Sequence, residues 1–278
     1  MIAQRSRGAS VVLHILTVLV VLFSAIPLVW MALSSIKPTN DITSHDPVFM
    51  FTPTLEHYRD LFTGGNHVDR YLINSIVAAG VSSVIATALG ALGGYGLSRS
   101  QMRGKRHLAF WIISTRMAPI AAVLLPLFLI FRRLNLLDSL PGLMVAYLTF
   151  NLPFAIWIMA AFFDGLPSSI EEAARVDGCS RWAAFWRIVL PLTKAGLVTT
   201  WILCLVFSWN DYAFSQTFSG TSSQTLPLAA TQLITLSGIA WGQLTAVGVI
   251  VVVPMVAAGL AVRRWLVTGL TLGAVTGE

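Results

Sequence analysis

The chain has 278 residues, of which 56% are apolar and only 11% are charged, and its mean hydropathy is +0.76. Soluble domains carry about 25% charged residues, so this composition excludes an ordinary soluble enzyme or binding module. The net charge of +6 does not indicate a nucleic-acid-binding protein either, because the basic residues are not gathered in one soluble segment.

Six apolar stretches are each long enough to cross about 30 Å of hydrocarbon as an α-helix. We predict an all-α membrane protein whose six transmembrane helices cover Val11–Ser34, Tyr71–Ser98, Leu108–Phe131, Pro141–Phe163, Ala195–Phe214 and Trp241–Val262. The first stretch is longer than a cleavable signal core and no clear small-residue cleavage site follows it, so we interpret it as an uncleaved helix. The sequence has no long internal repeat and no low-complexity linker, which predicts a single domain over residues 1–278.

The basic residues indicate the orientation of these helices. With the N-terminus inside, the cytosolic segments contain twelve of them, namely Arg5, Arg7, Arg99, Arg103, Lys105, Arg106, Arg175, Arg181, Arg187, Lys194, Arg263 and Arg264. The outer segments contain five, namely Lys37, Arg59, Arg70, Arg132 and Arg133. The positive-inside rule therefore predicts a multi-pass protein of the bacterial inner membrane with both termini in the cytosol. On this topology Cys179 is cytosolic and Cys204 lies within a span, so we predict no disulfide.

The outer segment between the first two spans, about residues 35–70, contains a short amphipathic pattern. Leu55, Tyr58, Leu61 and Phe62 recur at helical spacing, which predicts a short helix with these residues on its apolar face. Such a helix would either cover the bundle or help to dock a partner, and the pattern does not decide between the two.

Arg116 lies within the third predicted span, eight residues from its inner end. A charge at that depth costs about 2.5–3.5 kcal/mol by insertion scales, so it should face the bundle interior or a wet cavity. Snorkelling of the side chain toward the inner surface is the structural alternative. Asp211 lies late in the fifth span, nearer the outer side, and this difference in depth predicts no ion pair between the two residues.

The fourth span carries polar residues and a proline near its middle. Thr149, Asn151 and Pro153 predict a helix break, which is tolerated at membrane depth where it lines a cavity or is covered by neighbouring helices. A route for a polar molecule across the membrane requires hydrogen-bonding groups of this kind. We therefore take Arg116, Asn151, Asn210 and Asp211 as the candidate residues of a substrate pathway.

Other residues that often carry chemistry do not form a site in this sequence. The five histidines are scattered without ligand spacing, and there is no nucleophile elbow, so we predict no metal site and no catalytic residue. The glycines between Gly90 and Gly96 are not followed by the Gly-Lys-Ser/Thr of a phosphate-binding loop. They favour close helix packing instead.

The longest cytosolic loop, about residues 164–194, has the pattern of helix, glycine stop and helix. Ser168 with Glu171 fits a capping box, as does Ser169 with Glu172. Glu171 precedes Arg175 by four residues, which favours an ion pair along the helix.

The second half of the loop follows Gly178, a stop residue that tolerates positive φ. Ser180 can cap a second helix that presents Trp182, Phe185, Trp186 and Val189 on one side. A short capped hairpin with small alanines near its tip suits docking against another protein. An ordinary amphipathic loop helix at the membrane surface fits the local pattern equally well.

The spacing of Glu172-Ala173-Ala174, Gly178 and Ile188-Val-Leu-Pro191 resembles the signature loop of the membrane subunits of binding-protein-dependent ATP-binding-cassette (ABC) importers. Further stretches resemble the six-span partner subunit of the maltose- and trehalose-type carbohydrate branch. They are Asn74-Ser75, Pro119, Pro126, Asn151-Leu-Pro153, Trp209-Asn210-Asp211 and the tail Gly269–Gly277. The family often has glutamate where this chain has Asp211, whose side chain is shorter by one methylene group.

The resemblance implies the type I ABC importer permease fold, with a cytosolic coupling helix between spans four and five. It implies that the chain is a non-catalytic permease subunit that binds no cofactor, and that a partner ATPase binds ATP and magnesium. The residues implied in coupling are Glu171, Glu172, Ala173, Ala174, Asp177, Gly178, Leu190 and Pro191. The implied partners are a second permease subunit in a heterodimer, two copies of the ATPase, an extracytoplasmic sugar-binding protein and membrane lipid, with no nucleic acid.

The implied substrate is a disaccharide or oligosaccharide such as trehalose or maltose, and the resemblance implies that the other membrane subunit holds most of the sugar. Two other classes of protein remain alternatives. A self-sufficient secondary transporter or channel predicts an intramembrane ion relay and repeated halves, and a membrane-embedded enzyme predicts clustered acids or histidines. None of these patterns is visible in the sequence.

Overall fold

A computed structural model describes residues 7–65, 67–236 and 238–275. The long helices are α1 (Arg7–Ser34), α4 (Val68–Arg99), α5 (Lys105–Ser114), α6 (Ile120–Arg133), α7 (Leu140–Asp164), α11 (Lys194–Trp209) and α14 (Trp241–Val275). Shorter helices connect them, namely α2 (Thr39–Ile42), α3 (Glu56–Thr63), α8 (Ser168–Val176), α9 (Arg181–Ala184), α10 (Leu190–Leu192), α12 (Ala213–Phe218) and α13 (Leu226–Thr231). A two-residue antiparallel hairpin joins β1 (Ile234–Thr235) to β2 (Gly238–Ile239).

The described residues confirm a mostly helical membrane protein. Four helices are long and apolar enough to cross a membrane, namely α1, α4, α7 and the part of α14 up to Arg263. Two bent pairs, α5 with α6 and the segment 181–192 with α11, raise the number to six if each pair is one span. Four of the predicted stretches correspond to continuous helices and the third corresponds to a bent pair, whereas the fifth covers only the second helix, α11, of the other bent pair.

The third predicted span, Leu108–Phe131, is not one helix. It is interrupted after a 3₁₀ turn at Thr115–Met117, and the two halves meet at 89°. Pro119 explains the break, because a proline disfavours the helical conformation of the residue before it. Ala118 accordingly has extended backbone angles of φ −62° and ψ 134°.

The helix break expected at Pro153 is absent, since α7 continues through that residue from Leu140 to Asp164. A proline inside a transmembrane helix is tolerated when neighbouring helices and local adjustments satisfy the freed backbone groups. The fifth span also differs from the prediction, because α11 ends at Trp209 rather than Phe214. Phe214 belongs instead to the short helix α12.

The described chain divides into two compact units, one formed by residues 7–67 and 230–252 and the other by residues 68–229 and 253–275. In the first unit, hydrogen bonds fix the outer segment that follows α1. The imidazole of buried His57 lies 2.7 Å from the carbonyl of Lys37, and the Lys37 ammonium donates to the carbonyl of Val48 at 2.7 Å. The single-domain prediction for the whole chain stays a prediction.

The predicted amphipathic helix of the outer segment exists as α3, but its buried face differs from the expected one. Leu61 is buried as expected, whereas Leu55 is 70% and Phe62 is 45% exposed. His57 is buried in their place, beside Gly242, where an added Cβ would lie 2.2 Å from the ring. Counting apolar residues missed this histidine because its burial depends on a hydrogen bond to a backbone carbonyl.

In the second unit, α4 packs against α7 through small residues. A Cβ added at Gly90 would lie 2.5 Å from the Cβ of Ala155, and one added at Gly94 would lie 2.7 Å from the backbone nitrogen of Ala160. These distances show that the glycines allow two helix backbones to approach closely. The packing interpretation is confirmed for Gly90, Gly93 and Gly94, whereas a Cβ added at Gly96 would meet no atom within 4 Å.

Asp138, just before α7, organises a loop of the second unit that follows α12. Its Oδ1 accepts backbone N–H bonds from Gly220, Ser222 and Ser223 at 2.8, 2.9 and 3.0 Å. Burial by itself raises the pKa of Asp138, but these N–H bonds and the Ser223 hydroxyl lower it, and the net pKa lies below the ordinary value of an aspartate. One carboxylate therefore holds a loop that is more than eighty residues away in sequence.

We expect Asp138→Asn to lower the free energy of unfolding at neutral pH by about 1–3 kcal/mol, since it removes a charged acceptor from several N–H donors. A lowered pKa stabilises the fold above the pKa of the unfolded state, near 3.9, and this contribution is lost as pH falls through the lower folded value. Thermal unfolding in detergent should therefore show a gap between wild type and variant at pH 7 that closes below about pH 4.

Asp46→Asn is the control for this change, because the Asp46 residue is exposed. It should leave the unfolding temperature within the error of the measurement. An unchanged melting curve for Asp138→Asn at pH 7 would contradict the role assigned to this carboxylate.

Candidate functional site

The loop 164–194 contains the helix–stop–helix arrangement that its sequence predicts. At the end of α8 the N–H of Cys179 donates to the carbonyl of Ala174 at 3.0 Å, and the N–H of Gly178 donates to Arg175 at 3.1 Å. These two hydrogen bonds form a Schellman motif, which requires a positive φ such as the +90° that Gly178 adopts. Ser180 then caps α9, because its hydroxyl accepts the N–H of Ala183 at 3.1 Å.

The capping boxes predicted for α8 are wrong. The N-cap residue is Pro167, so Ser168 and Ser169 already lie inside the helix, and no side-chain cap bond forms there. The predicted pair of Glu171 with Arg175 is also wrong. Within the described residues, the ion pair of Glu171 is with Arg99 at the C-terminal end of α4.

Three side chains, Tyr95, Arg99 and Glu171, form what we call the latch between α4 and α8. Arg99 Nε donates to Glu171 Oε1, and the Tyr95 hydroxyl donates to Glu171 Oε2 at 2.9 Å. Arg99 also donates to the carbonyl of Leu166 at 3.0 Å, just before α8 begins. Glu171 itself is only 9% exposed. The latch therefore joins the short helix directly to a transmembrane helix.

The latch gives α8 an inward and an outward face. Glu171 and Ala174 point inward and are buried, whereas Glu172 and Ala173 are exposed. Val176 is 87% exposed although it is apolar. An exposed acid, a small alanine and an exposed valine on one face suit contact with another protein, because the alanine allows close approach and the valine loses water on contact.

The second helix of the loop does not present the four apolar residues that its sequence predicts on one side. Phe185 and Val189 are fully buried, but Trp182 and Trp186 are 61% and 48% exposed. The reason is that α9 ends at Ala184 and a π-helical turn, Phe185–Val189, follows it. The period of 3.6 residues does not hold across such a turn. Leu190 and Pro191 then lie in α10, before a bend of 75° that leads into α11.

Two of the four residues proposed for a substrate pathway line one cavity. Arg116 at the break in the third span and Asp211 after α11 both border a space of about 260 Å³. No ion pair is found between them in the described residues. They nevertheless share a cavity, because the break at Pro119 places the C-terminal end of α5 close to the C-terminal end of α11.

The other two residues lie elsewhere and make structural hydrogen bonds. Asn151 is completely buried, and its amide donates to the Ser208 hydroxyl at 2.7 Å and to the Cys204 carbonyl at 3.3 Å. These bonds join α7 to α11. Asn210 is exposed, and its amide donates to the Val206 carbonyl at 2.8 Å, which closes the end of α11.

Sequence reasoning missed Tyr95, Arg99 and Val176 as members of the loop site. Arg99 was counted only as a topology signal, and its partner is 72 residues away in sequence, a distance that local patterns do not reach. Val176 could have been found from the sequence, because an apolar residue between two charged residues at the end of a helix indicates a contact with another surface. Of the tail predicted at 269–277, residues 269–275 continue the backbone of α14, and Thr276 and Gly277 lie outside the described residues.

Comparisons with known proteins agree on one family and one fold. Residues 86–271 match the family described as binding-protein-dependent transport system inner membrane component. The chain is 35% identical over 266 residues to the trehalose transport system permease protein SugB of Mycobacterium tuberculosis (strain CDC 1551 / Oshkosh), covering 95% of this chain and 96% of that protein.

Two further comparisons extend this result. The chain is 33% identical over 262 residues to the diacetylchitobiose uptake system permease protein DasC of Streptomyces coelicolor, covering 93% of this chain and 95% of the relative. The crystal structure of a bacterial ABC transporter that imports the acidic polysaccharide alginate contains a chain that superimposes with a TM-score of 0.72. That chain is 24% identical and the match covers 93% of this chain and 98% of the other, so the comparison shows the fold.

Proposed function

The chain belongs to the family of binding-protein-dependent transport system inner membrane components and is a permease subunit of a sugar ABC transporter, and from this premise we propose how it works. It pairs with a second, different permease subunit, and two copies of a separate ATPase bind the cytosolic side of the pair. The ATPase binds ATP and magnesium, and this chain hydrolyses no ATP. Both termini are cytosolic, and a sugar-binding protein delivers the substrate from outside.

The observation that carries this proposal is the two-faced geometry of α8. Its outward face offers Glu172, Ala173 and Val176 to a partner, while its inward face is bonded through Glu171 to Arg99 on α4. A movement of the ATPase against the outward face would therefore be transmitted to a transmembrane helix rather than absorbed by a free loop. Asp177, Gly178, Leu190 and Pro191 set the end of α8 and the direction of the chain into α11.

The proposed cargo is an uncharged disaccharide or oligosaccharide such as trehalose or maltose. Relatives whose names refer to trehalose and diacetylchitobiose support this class, since each is matched over more than nine-tenths of its length. For the route of the sugar we retain Arg116 and Asp211, which share a cavity. Asn151 and Asn210 contribute by fixing the helices around it.

We expect Glu172→Lys to reduce ATP-driven sugar uptake by at least about tenfold, because it reverses a charge on the outward face of α8. A tenfold change corresponds to only about 1.4 kcal/mol. The measurement is uptake of radiolabelled trehalose, maltose and diacetylchitobiose into proteoliposomes that contain the complete complex and ATP. Membrane insertion and pairing with the second permease should be unchanged, whereas co-purification of the ATPase should fall.

Glu56→Lys is the matched control, since Glu56 is an exposed acid at the start of α3, on the predicted outer side. It should transport as the wild type does. Two results would contradict the proposal: full uptake by Glu172→Lys, or uptake driven by an ion gradient without ATP.

A further inference from the structure

The cavity at the break in the third span carries an arginine and an aspartate on walls that are otherwise largely apolar. Besides Arg116 and Asp211, two threonines, Thr115 and Thr149, line it together with the ring of Phe207. Broken backbone at membrane depth is tolerated where it lines a cavity or is covered by protein, and this cavity lies at such a break.

Arg116 supplies a donor without an acceptor. Its guanidinium lies over the rings of Phe154 and Phe207, with the central carbon 4.3 and 4.1 Å from the two ring centres. These aromatic faces accommodate the charge but do not satisfy the N–H groups in the plane of the guanidinium. Nη1 is buried and has no hydrogen-bond partner among the described residues. Because the Arg116 side chain lines the cavity, its guanidinium contributes a hydrogen-bond donor to the cavity wall.

The remaining polar groups of the cavity are acceptors. Thr115 donates its hydroxyl hydrogen to the Ile112 carbonyl at 2.7 Å, and Thr149 donates to the Ala146 carbonyl at 2.6 Å. Each hydroxyl oxygen thus keeps lone pairs and has no hydrogen to offer. Asp211 accepts the N–H groups of Phe214 and Ser215 at 3.4 and 3.1 Å, one at each oxygen, which leaves further lone pairs on the carboxylate.

This set of groups selects a ligand by its hydrogen-bonding pattern. A ligand that suits three acceptors and one donor must carry several O–H groups and at least one accepting oxygen, as a sugar ring does. A carboxylate or sulfonate has no hydrogen to donate to Asp211 or the threonines and would be repelled by Asp211. A cation would be repelled by Arg116 and attracted by Asp211, and the reverse holds for an anion, so the two wall charges largely cancel for either kind of ion. The hydrogen-bonding pattern therefore favours an uncharged polyhydroxyl ligand.

We propose that the cavity between the broken third span and the end of α11 binds one uncharged hexopyranose ring during transport. The proposal rests on the proposed function and adds a sugar site on this subunit, whereas the family resemblance places most of the sugar on the other subunit. Arg116 donates to a ring or hydroxyl oxygen, and Asp211 and Thr149 accept from sugar hydroxyls.

The test measures sugar binding to the complete permease–ATPase complex in lipid nanodiscs, without ATP and without the binding protein. Saturation-transfer NMR reports binding of trehalose, which consists of two uncharged glucopyranose rings, and glucuronic acid is the charged competitor. We expect saturable transfer to trehalose and no competition by glucuronic acid. Arg116→Met should weaken trehalose binding at least tenfold.

Two further variants complete the design. Thr149→Val keeps the volume of the side chain and removes only the hydroxyl, so it should weaken binding several-fold even if Arg116→Met disturbs the fold. Arg132→Met is the matched control, because this exposed arginine is at the far end of α6 and does not line the cavity; it should bind as the wild type does.

The proposal is overturned if trehalose shows no transfer, if glucuronic acid competes equally well, or if Arg116→Met and Thr149→Val both bind normally. These outcomes differ from failure of the proposed function. Uptake that depends on ATP and is lost in Glu172→Lys, together with unaffected binding in the cavity variants, would leave the coupling role intact and remove only the sugar site.

Discussion

Gly178→Val is expected to reduce ATP-driven sugar uptake by at least about tenfold while the chain still inserts and pairs with its partner subunit. Gly178 has a φ of +90°, and an added Cβ would meet no atom within 4 Å. The cost is therefore one of backbone conformation rather than space, about 1–3 kcal/mol for a residue held in this region. The strain is relieved only by moving the turn between α8 and α9, which also displaces the outward face of α8.

Two comparisons separate this effect from general damage. Gly178→Asn has a side chain of similar size, but asparagine tolerates positive φ, so uptake should recover to a large part of the wild-type rate. Gly104→Val creates the same strain at a φ of +87° in the loop between α4 and α5, again with no atom within 4 Å of the new Cβ. It should leave uptake nearly unchanged. Equal loss in all three variants would show that the position of Gly178 has no special role.

Arg99→Met is expected to have the second large effect, because it leaves the Glu171 carboxylate nearly buried without its cation. Breaking a fully buried pair costs about 3–5 kcal/mol, and the partial exposure of Arg99 places this case toward or below the lower end of that range. Glu171→Gln should cost less, since the Tyr95 hydroxyl can still donate to the amide oxygen. The double variant should resemble Glu171→Gln alone, which a double-mutant cycle on unfolding temperature and on uptake would reveal.

Lys105→Met is the control for the latch. Its ion pair with Asp164 is long, at 3.5 Å, and the two side chains are 33% and 54% exposed. Removing such a surface pair changes stability by about 0–1 kcal/mol, and loss of the hydrogen bond from the ammonium to the Ser98 carbonyl at 2.6 Å adds about 1.5 kcal/mol, so the expected loss stays below that of Arg99→Met. If Lys105→Met were as harmful as Arg99→Met, or if the effects of Arg99→Met and Glu171→Gln simply added, the latch would not act as one unit.

The sequence predicts the helical framework because apolar length and charge asymmetry are local properties. It also predicts the stop at Gly178 and the cap at Ser180, since both depend on residues only a few positions apart. It fails where two segments distant in sequence compete for one group. The spacing of Glu171 and Arg175 predicts an ion pair within α8, but Glu171 instead pairs with Arg99 of α4.

The prolines show a second limit of sequence reasoning. Both Pro119 and Pro153 lie within long apolar stretches, and the pattern around them does not say which one interrupts the helix. The structure breaks the chain at Pro119 and continues through Pro153. The shared cavity of Arg116 and Asp211 follows from that choice, so an estimate of depth that assumes straight helices places the two residues apart.

The carboxylate of Asp138 has a consequence for movement in the second unit. Three backbone N–H groups from the segment 220–223 converge on a single oxygen, and the Asp138 N–H donates in return to the Phe218 carbonyl at 2.8 Å. These hydrogen bonds join the residue before α7 to the segment that follows α12, so the two segments are expected to move together. A conformational change within this unit would therefore hinge at other positions. The two helix breaks, at Pro119 and at Thr193, are the candidate hinges.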